Sequence, residues 1–335
     1  MANATAAVAA RAPLPVPVCD PHFHVWDNAA CLNKNLGDIA TGPLGVYTGA
    51  AFAAEAAAGG LTLSAAVHVE TVVGQAPGGF EIDSVAETRF VVSQGAALPC
   101  PVGVVAYVHL ARSDAAWAVA AHAVAAGGAL RGVRQIMNFS PDGALTWPQV
   151  EHGDYFDGAS PSSRALAASL AGLAAADLAF DLHVNWFQAA PAAAFLAAHA
   201  PAGLRVVVDH VACPKLGSVD DAARLAEWRA GVDALAARPG THMKLSGLEY
   251  AYPGWMAPGT PAREGARALV AHCLAAFGPR RCMFASNFPV DKSAAPGSDL
   301  GALYAAFYEL CDELGVPSVD RLGLFAGSAR AAYKI

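Results

Sequence analysis

The run VCDPHFHVW at 18–26 is the first of eight short stretches that have the length and composition of strands and recur along the chain. The others are TLSAAVHVET (62–71), PVGVVAYVHL (101–110), LRGVRQIM (130–137), AFDLHVNW (179–186), RVVVDHVAC (205–213), HMKLSGL (242–248) and RCMFASNFP (281–289). Alanine-rich stretches with helical character lie between them, among them 164–178, 189–200, 220–237 and 263–277. Strands alternating with helices build a parallel sheet, and eight such units predict an α/β fold of the (β/α)8 TIM-barrel type. No internal polar Gly/Ser/Pro linker divides the chain. The expectation is therefore one barrel domain over 18–335, preceded by a flexible Ala- and Pro-rich segment over 1–17. Irregular connections at 27–50, 138–162 and 249–262 are expected to lie over the catalytic mouth.

Composition narrows the function. A barrel needs about 250 residues, and 335 leaves room for loops. The net charge of −7 and the absence of a basic run exclude the electrostatic footprint of a nucleic-acid binder. Pro, Gly, His or a charge interrupts every apolar run before it reaches the ~20 residues of a membrane span. The N-terminus lacks the apolar core of a secretory signal. The seven cysteines, Cys31 among them, are scattered without a CxxC pair, as expected of reduced thiols in the cytoplasm. What remains is chemistry on a small molecule, by a chain free to form a homo-oligomer.

Side chains alternate faces along a strand, so each run divides by parity. Asp20, His22, His24 and Trp26 share one face of the first run; His68 and Glu70 share one of the second, and Tyr107 and His109 one of the third. Gly132 and Arg134, then Asp181, His183 and Asn185, then Val206, Val208 and His210 follow. Lys244 with Ser246 and Met283 with Ala285 and Asn287 complete the set. Each strand thus carries a polar group near its C-terminal end, where barrels of this type place their active sites. The intervening Val67, Val69, Leu182, Val184 and Val207 are expected to face the helices. Asp209 has the same outward parity and reads as a structural hydrogen-bond acceptor.

Two imidazoles at i and i+2 project to one side, so His22 and His24 can share a metal ion or a substrate oxygen, with His183 and His210 approaching from across the barrel. Arg134 is either a clamp for a substrate carboxylate or a partner for Glu70 or Asp181. Glu70 and Lys244 either touch substrate or form structural ion pairs. Trp26, Trp186 and Trp255 either wall a pocket or pack the core.

The motifs DPHFHVWD (20–27), VHVE (67–70), RGVRQ (131–135), VVVDHVACP (206–214), KLSG (244–247) and MFASNFPVD (283–291) together resemble the amidohydrolase-related family that contains sugar-acid lactonases and 2-pyrone-4,6-dicarboxylate lactonase. The resemblance spans about 18–330 and implies a distorted (β/α)8 barrel that hydrolyses a cyclic ester. It also implies that Arg134 lies near the substrate carboxylate and that His22, His24 and His183 are the ligands if a metal is bound. At strand 8 relatives read S-D-W-P, whereas this chain reads Ser286-Asn287-Phe288-Pro289. An amide cannot take a proton from water. Asp291 is the nearest carboxylate that could compensate.

The function expected is hydrolysis of a small, carboxylate-bearing lactone. His22, His24, His210 and Asp291 are the catalytic candidates; Glu70, Arg134, His183, Lys244 and Asn287 are the substrate-binding ones. The cofactor is either none or one divalent metal, zinc foremost. The rivals are a metal-dependent non-oxidative decarboxylase and an inactive barrel used for ligand binding.

Overall fold

All eight stretches pair in parallel and in chain order into one sheet. Its strands are β1 (Val18–Phe23), β2 (Leu63–Val69), β3 (Val102–Tyr107), β4 (Leu130–Ile136), β5 (Ala179–His183), β6 (Val206–Val208), β7 (Thr241–Leu245) and β8 (Cys282–Phe284). The computed structural model describes residues 11–27, 45–71, 84–146, 154–215, 221–295 and 298–335. Cys31 and parts of the expected mouth connections, 28–44 and 147–153, lie outside the described residues. The sheet closes as a barrel at the mouth, where Asn287 N donates to His22 O (2.7 Å) and His24 N to Phe288 O (2.8 Å).

The helices that follow the strands include α1 (Gly49–Ala58), α2 (Ser84–Gly95), α3 (Ala115–Ala126), α4 (Pro161–Ala175), α5 (Ala189–His199) and α6 (Ala222–Ala236). Then come α7 (Leu248–Ala251), α8 (Pro261–Phe277), α9 (Val290–Ala294), α10 (Leu300–Glu313), α11 (Ser318–Leu322) and α12 (Ser328–Tyr333). Their starts are set by side-chain caps. Ser160 and Thr260, each followed by proline at the first helical position, accept from Ser163 N and Arg263 N. Such caps contribute about 1 kcal/mol each. They explain why α4 begins three residues before the expected 164. No helix among the described residues is long and apolar enough to cross a membrane.

The core has two layers. Val104, Val133, Phe180, Leu182, Val206, Val208, Leu245 and Phe284 face the helices in the larger cluster. Inside the barrel lie Cys19, Ala65, Val67, Val69, Val105, Ala179, Val207 and Met283, closed from below by Ala326, Ala329, Ala332 and Tyr333 of the C-terminal segment. This layering corrects the parity expected of β2 and β6. Val67, Val69 and Val207 point inward, whereas Val206 and Val208 point outward, and Asp209 follows Val207 to the inside. Both faces of these strands are buried, so their sequences carry no polar alternation to set the phase.

Asp20 is a second correction. Cys19 belongs to the inner layer, and the pairing irregularity between Asp20 and Phe23 breaks the alternation before His22. Asp20 instead accepts the backbone N–H groups of His22 and Ser286 at 3.1 Å each, tying the first strand to the last. Part of the N-terminal stretch expected to be flexible is docked. Leu14 N donates to Gly60 O (3.0 Å), and apolar Val16 is buried in the outer core. Residues 1–10 lie outside the described residues.

Candidate active site

The last turns of the strands surround a cavity of about 290 Å³, walled by His24, Trp26, Glu70, Arg134, His183, His210 and Asn287, with Cys213, Lys215 and Tyr250 also lining it. That volume suits a small molecule. His22, Asp209, Lys244 and Asp181 lie beneath its floor, each wholly buried. His22 and Lys244 are therefore not wall residues. Trp186 is held by Glu227 (3.0 Å), Trp255 stacks on Phe307 and His109 faces Tyr155, all away from the cavity.

The buried layer is a network of charges. Arg134 donates from Nε to Glu70 Oε1 and from its NH2 group to Glu70 O, at 2.7 Å each. Its NH1 group reaches Asp209 Oδ2 at 3.2 Å and His22 Nε2 at 3.4 Å. The ammonium of Lys244 lies close to three groups: Asp181 Oδ2 at 2.6 Å, Asp209 Oδ1 at 2.9 Å and His22 Nδ1 at 3.1 Å. Arg134 thus pairs with Glu70 and Asp209, not with Asp181. Asp209, expected on the outer face, is the centre of the network.

Burial and these cations keep the imidazoles uncharged. Burial, then Arg134, lowers His24 to about 3 and His183 to about 4. Burial also drives His22 and His210 well below the ordinary histidine range. Burial alone would raise Asp209, but Lys244, then His22 and Arg134, hold it well below the usual carboxylate range. Neutral imidazoles can accept protons or ligate; a set of charged ones could do neither.

Each wall histidine has one nitrogen fixed. His183 Nδ1 lies 2.6 Å from the Asn138 side-chain amide, and His210 Nδ1 lies 2.9 Å from Ser246 Oγ. His210 reaches the wall because the chain leaves β6 after three residues and runs through positive φ from His210 to Cys213. Gly247, at φ +66°, packs beneath it; a Cβ there would stand 2.9 Å from His210 Cβ.

His24 Nδ1 lies 2.7 Å from Val69 O. A carbonyl only accepts, so Nδ1 carries the hydrogen and neutral His24 presents a lone pair at Nε2. That nitrogen lies 3.0 Å from the Asn287 amide, whose other end is 2.6 Å from Asp291 Oδ1. Neutral His24 requires the amide to turn its NH2 towards the ring and its oxygen towards Asp291, which must then hold a proton. Burial supports that state, pushing Asp291 up to about 7. Asp291 comes close because α9 begins directly after Pro289 and folds it back, Asp291 N donating to Asn287 O (3.0 Å). It sits behind Asn287, not in the cavity wall.

The sequence pointed to His22, His24 and His183 as metal ligands. Among the described residues the donors gathered within 4.8 Å of one another are instead His22, Asp209 and His210. Asp209 Oδ1 makes no hydrogen bond of good geometry despite its buried ion contact with Lys244. A buried carboxylate oxygen between two neutral imidazoles fits a divalent ion.

Comparison with known proteins places this geometry. The chain is 29% identical over 332 residues to the uncharacterized protein y4mH of Sinorhizobium fredii, covering 96% of this chain and 99% of that one. It is 29% identical over 250 residues to an L-fucono-1,5-lactonase of Burkholderia ambifaria, covering 74% of this chain and 76% of that one. A crystal structure of an amidohydrolase from Burkholderia multivorans with bound zinc superposes with a TM-score of 0.71 at 24% identity, over 96% of this chain and 100% of that one. The model of the amidohydrolase family matches residues 19–335, nearly the whole chain, and the chain belongs to that family.

Proposed function

We propose that this amidohydrolase opens a small lactone that carries a carboxylate. The observation that carries the reading is the cavity wall, in which the uncharged His24, His183 and His210 meet the fixed charge of Arg134. The Burkholderia ambifaria relative, named an L-fucono-1,5-lactonase, supports the lactone; the carboxylate rests on the positive charge of Arg134 and Lys215 at the cavity.

His210 accepts the proton of the attacking water. This role takes the tautomer in which Nδ1–H is donated to Ser246 Oγ, 2.9 Å away, and Nε2 is left as a lone pair. Water oxygen bonds to the ring carbonyl carbon, and the oxyanion that forms faces the positive field of Arg134. The carbonyl is then restored as the ring C–O bond breaks, and the leaving alkoxide takes the proton back from His210. His183 orients a substrate hydroxyl by hydrogen bonding, while His24, its Nδ1–H on Val69 O and its Nε2 on Asn287, walls the cavity beside it. Glu70 and Asn287 act chiefly by fixing Arg134 and His24, while Arg134 and Lys215 supply positive charge for the substrate carboxylate. His22 and Lys244 act from beneath the floor, holding Asp209 and Arg134 in place. Asp291 acts through Asn287. A divalent ion, when bound, would be held by His22, Asp209 and His210 and would supply a Lewis acid there, while occupying the His210 lone pair that otherwise takes the proton of water.

The test is proton release on a panel of five- and six-membered sugar-acid lactones, with and without a carboxylate substituent. Turnover favouring carboxylate-bearing members supports the proposal. Hydrolysis indifferent to the carboxylate removes that part of it, and no hydrolysis of any lactone overturns it.

A further inference from the structure

The C-terminal segment enters the barrel from the end opposite the cavity. Ala326, Ala329 and Ala332 recur every three residues, and their small side chains fit among Cys19, Ala65, Ala179 and Met283 in the inner layer. The segment is pinned from outside: Arg205 Nε donates to Ala332 O (2.7 Å), and an Arg330 NH1 hydrogen goes to Ser64 O (3.0 Å). This places Tyr333, wholly buried, in the middle of the barrel. Its hydroxyl lies 2.7 Å from Asp181 Oδ2 and 2.9 Å from Asp181 Oδ1, and the Lys244 ammonium stands 5.4 Å from the centre of its ring.

We infer that Tyr333 is a positioning residue for the active site, acting from below through Asp181 on Lys244. The Lys244 ammonium hydrogen-bonds Asp181, stands in ion contact with Asp209 Oδ1 at 2.9 Å and lies 3.1 Å from His22 Nδ1. Its place between Asp209 and His22 depends on where Asp181 stands. Asp181 is buried, and a buried carboxylate turns towards whatever donors it has. With the Tyr333 hydroxyl in place, one donor comes from below and Lys244 is left to serve the layer above. Without it, Asp181 must satisfy both oxygens from Lys244, drawing the ammonium down and away from His22. Asp209 and His22 then lose the contact that fixes them beneath His210 and Arg134. The ring supplies a second restraint, since an aromatic face under an ammonium is attractive in a dry interior.

The inference rests on the proposed lactone hydrolysis only for its kinetic readout. Tyr333→Phe keeps the ring and the packing and removes the hydroxyl. For a lactone substrate, kcat should fall by about tenfold or more, the scale seen when a group that orients a catalytic group is removed. KM should stay within about twofold, because Tyr333 does not reach the cavity. In an Asp181→Asn background the same change should have little further effect on kcat, since the link it acts through is already cut. A spectroscopic arm needs no substrate: the Lys244 Cε resonance of 13C-lysine-labelled protein, assigned by its absence in Lys244→Met, should move in Tyr333→Phe. An unmoved resonance overturns the inference whether or not the protein hydrolyses lactones. Unchanged kcat, or kcat losses that multiply fully in the double variant, overturns it too.

Discussion

Asn287 and Asp291 are locked side chain to side chain at 2.6 Å, and the far end of the Asn287 amide meets His24 at 3.0 Å. The residue that replaces the family's usual strand-8 aspartate is therefore held by a carboxyl four positions further on. With His24 neutral, Asp291 must carry a proton.

That requirement has a consequence for stability. Burial raises Asp291 from 3.8 to about 7. At about 1.36 kcal/mol per unit this is on the order of 4 kcal/mol. A carboxyl whose folded pKa lies above its unfolded one contributes fully below about pH 4 and loses that contribution as the pH rises through about 7. Asp291→Asn keeps a neutral donor towards Asn287 and should remove this dependence. Denaturant unfolding of both proteins from pH 4 to pH 8 should show the wild type losing several kcal/mol relative to the variant. Parallel curves would contradict a protonated Asp291.

Asn287→Asp should not create the metal site of the S-D-W-P relatives. The new carboxylate would stand between His24 and Asp291, outside the donor cluster of His22, Asp209 and His210. Two acids at that spacing share one proton, and the remaining charge favours protonated His24. Zinc affinity by titration should stay within about threefold of wild type, while kcat falls by about tenfold or more as the neutral His24 acceptor is lost. A large gain in zinc affinity would place the ion at Asn287 instead.

Zinc and catalysis should compete for His210. Its Nδ1 is on Ser246, so an ion takes Nε2, the nitrogen proposed to accept the proton of water. Chelator should leave most of the activity intact, and excess zinc should inhibit. Activity lost to chelator and restored by zinc would mean that His210 is a ligand and the base lies elsewhere.

Two substitutions probe His210 from different directions. His210→Ala should lower kcat by about 10²-fold or more, as expected for loss of a general base. Gly247→Ala should also lower it with the side chain of His210 intact, because the added Cβ meets His210 Cβ at 2.9 Å and the ring at 3.2 Å. The backbone there lies at φ +66°, so its Tm should fall as well. A fully active Gly247→Ala would mean that the position of His210 is not critical.

The fold was legible because eight strand-like runs alternate with alanine-rich stretches; the helix starts were not, since they are set by caps such as Ser160 and Thr260 ahead of the alanine-rich pattern. The cavity wall was largely legible too, since His24, Arg134, His183 and Asn287 sit at strand ends with the expected parity. Asp209 was not. VVVDH offers three valines buried on both faces, and a shift of one residue reverses every assignment. His68 misled for the same reason: it lies on the strand face opposite Val67 and Val69 and packs against Phe23 and His24. Asp291 depended on a turn after Pro289 that no periodicity announces. Tyr333 lies near the C-terminus, joined to Asp181 across 152 residues, a distance that local pattern cannot bridge.

The central claim, water attack on the carbonyl of a lactone, is tested most directly by hydrolysis in 18O-water with mass analysis of the hydroxy-acid product after a single turnover. The account predicts one labelled oxygen, in the new carboxylate, with the released hydroxyl unlabelled. Label in the hydroxyl, which would mean cleavage at the alkyl carbon, would contradict it.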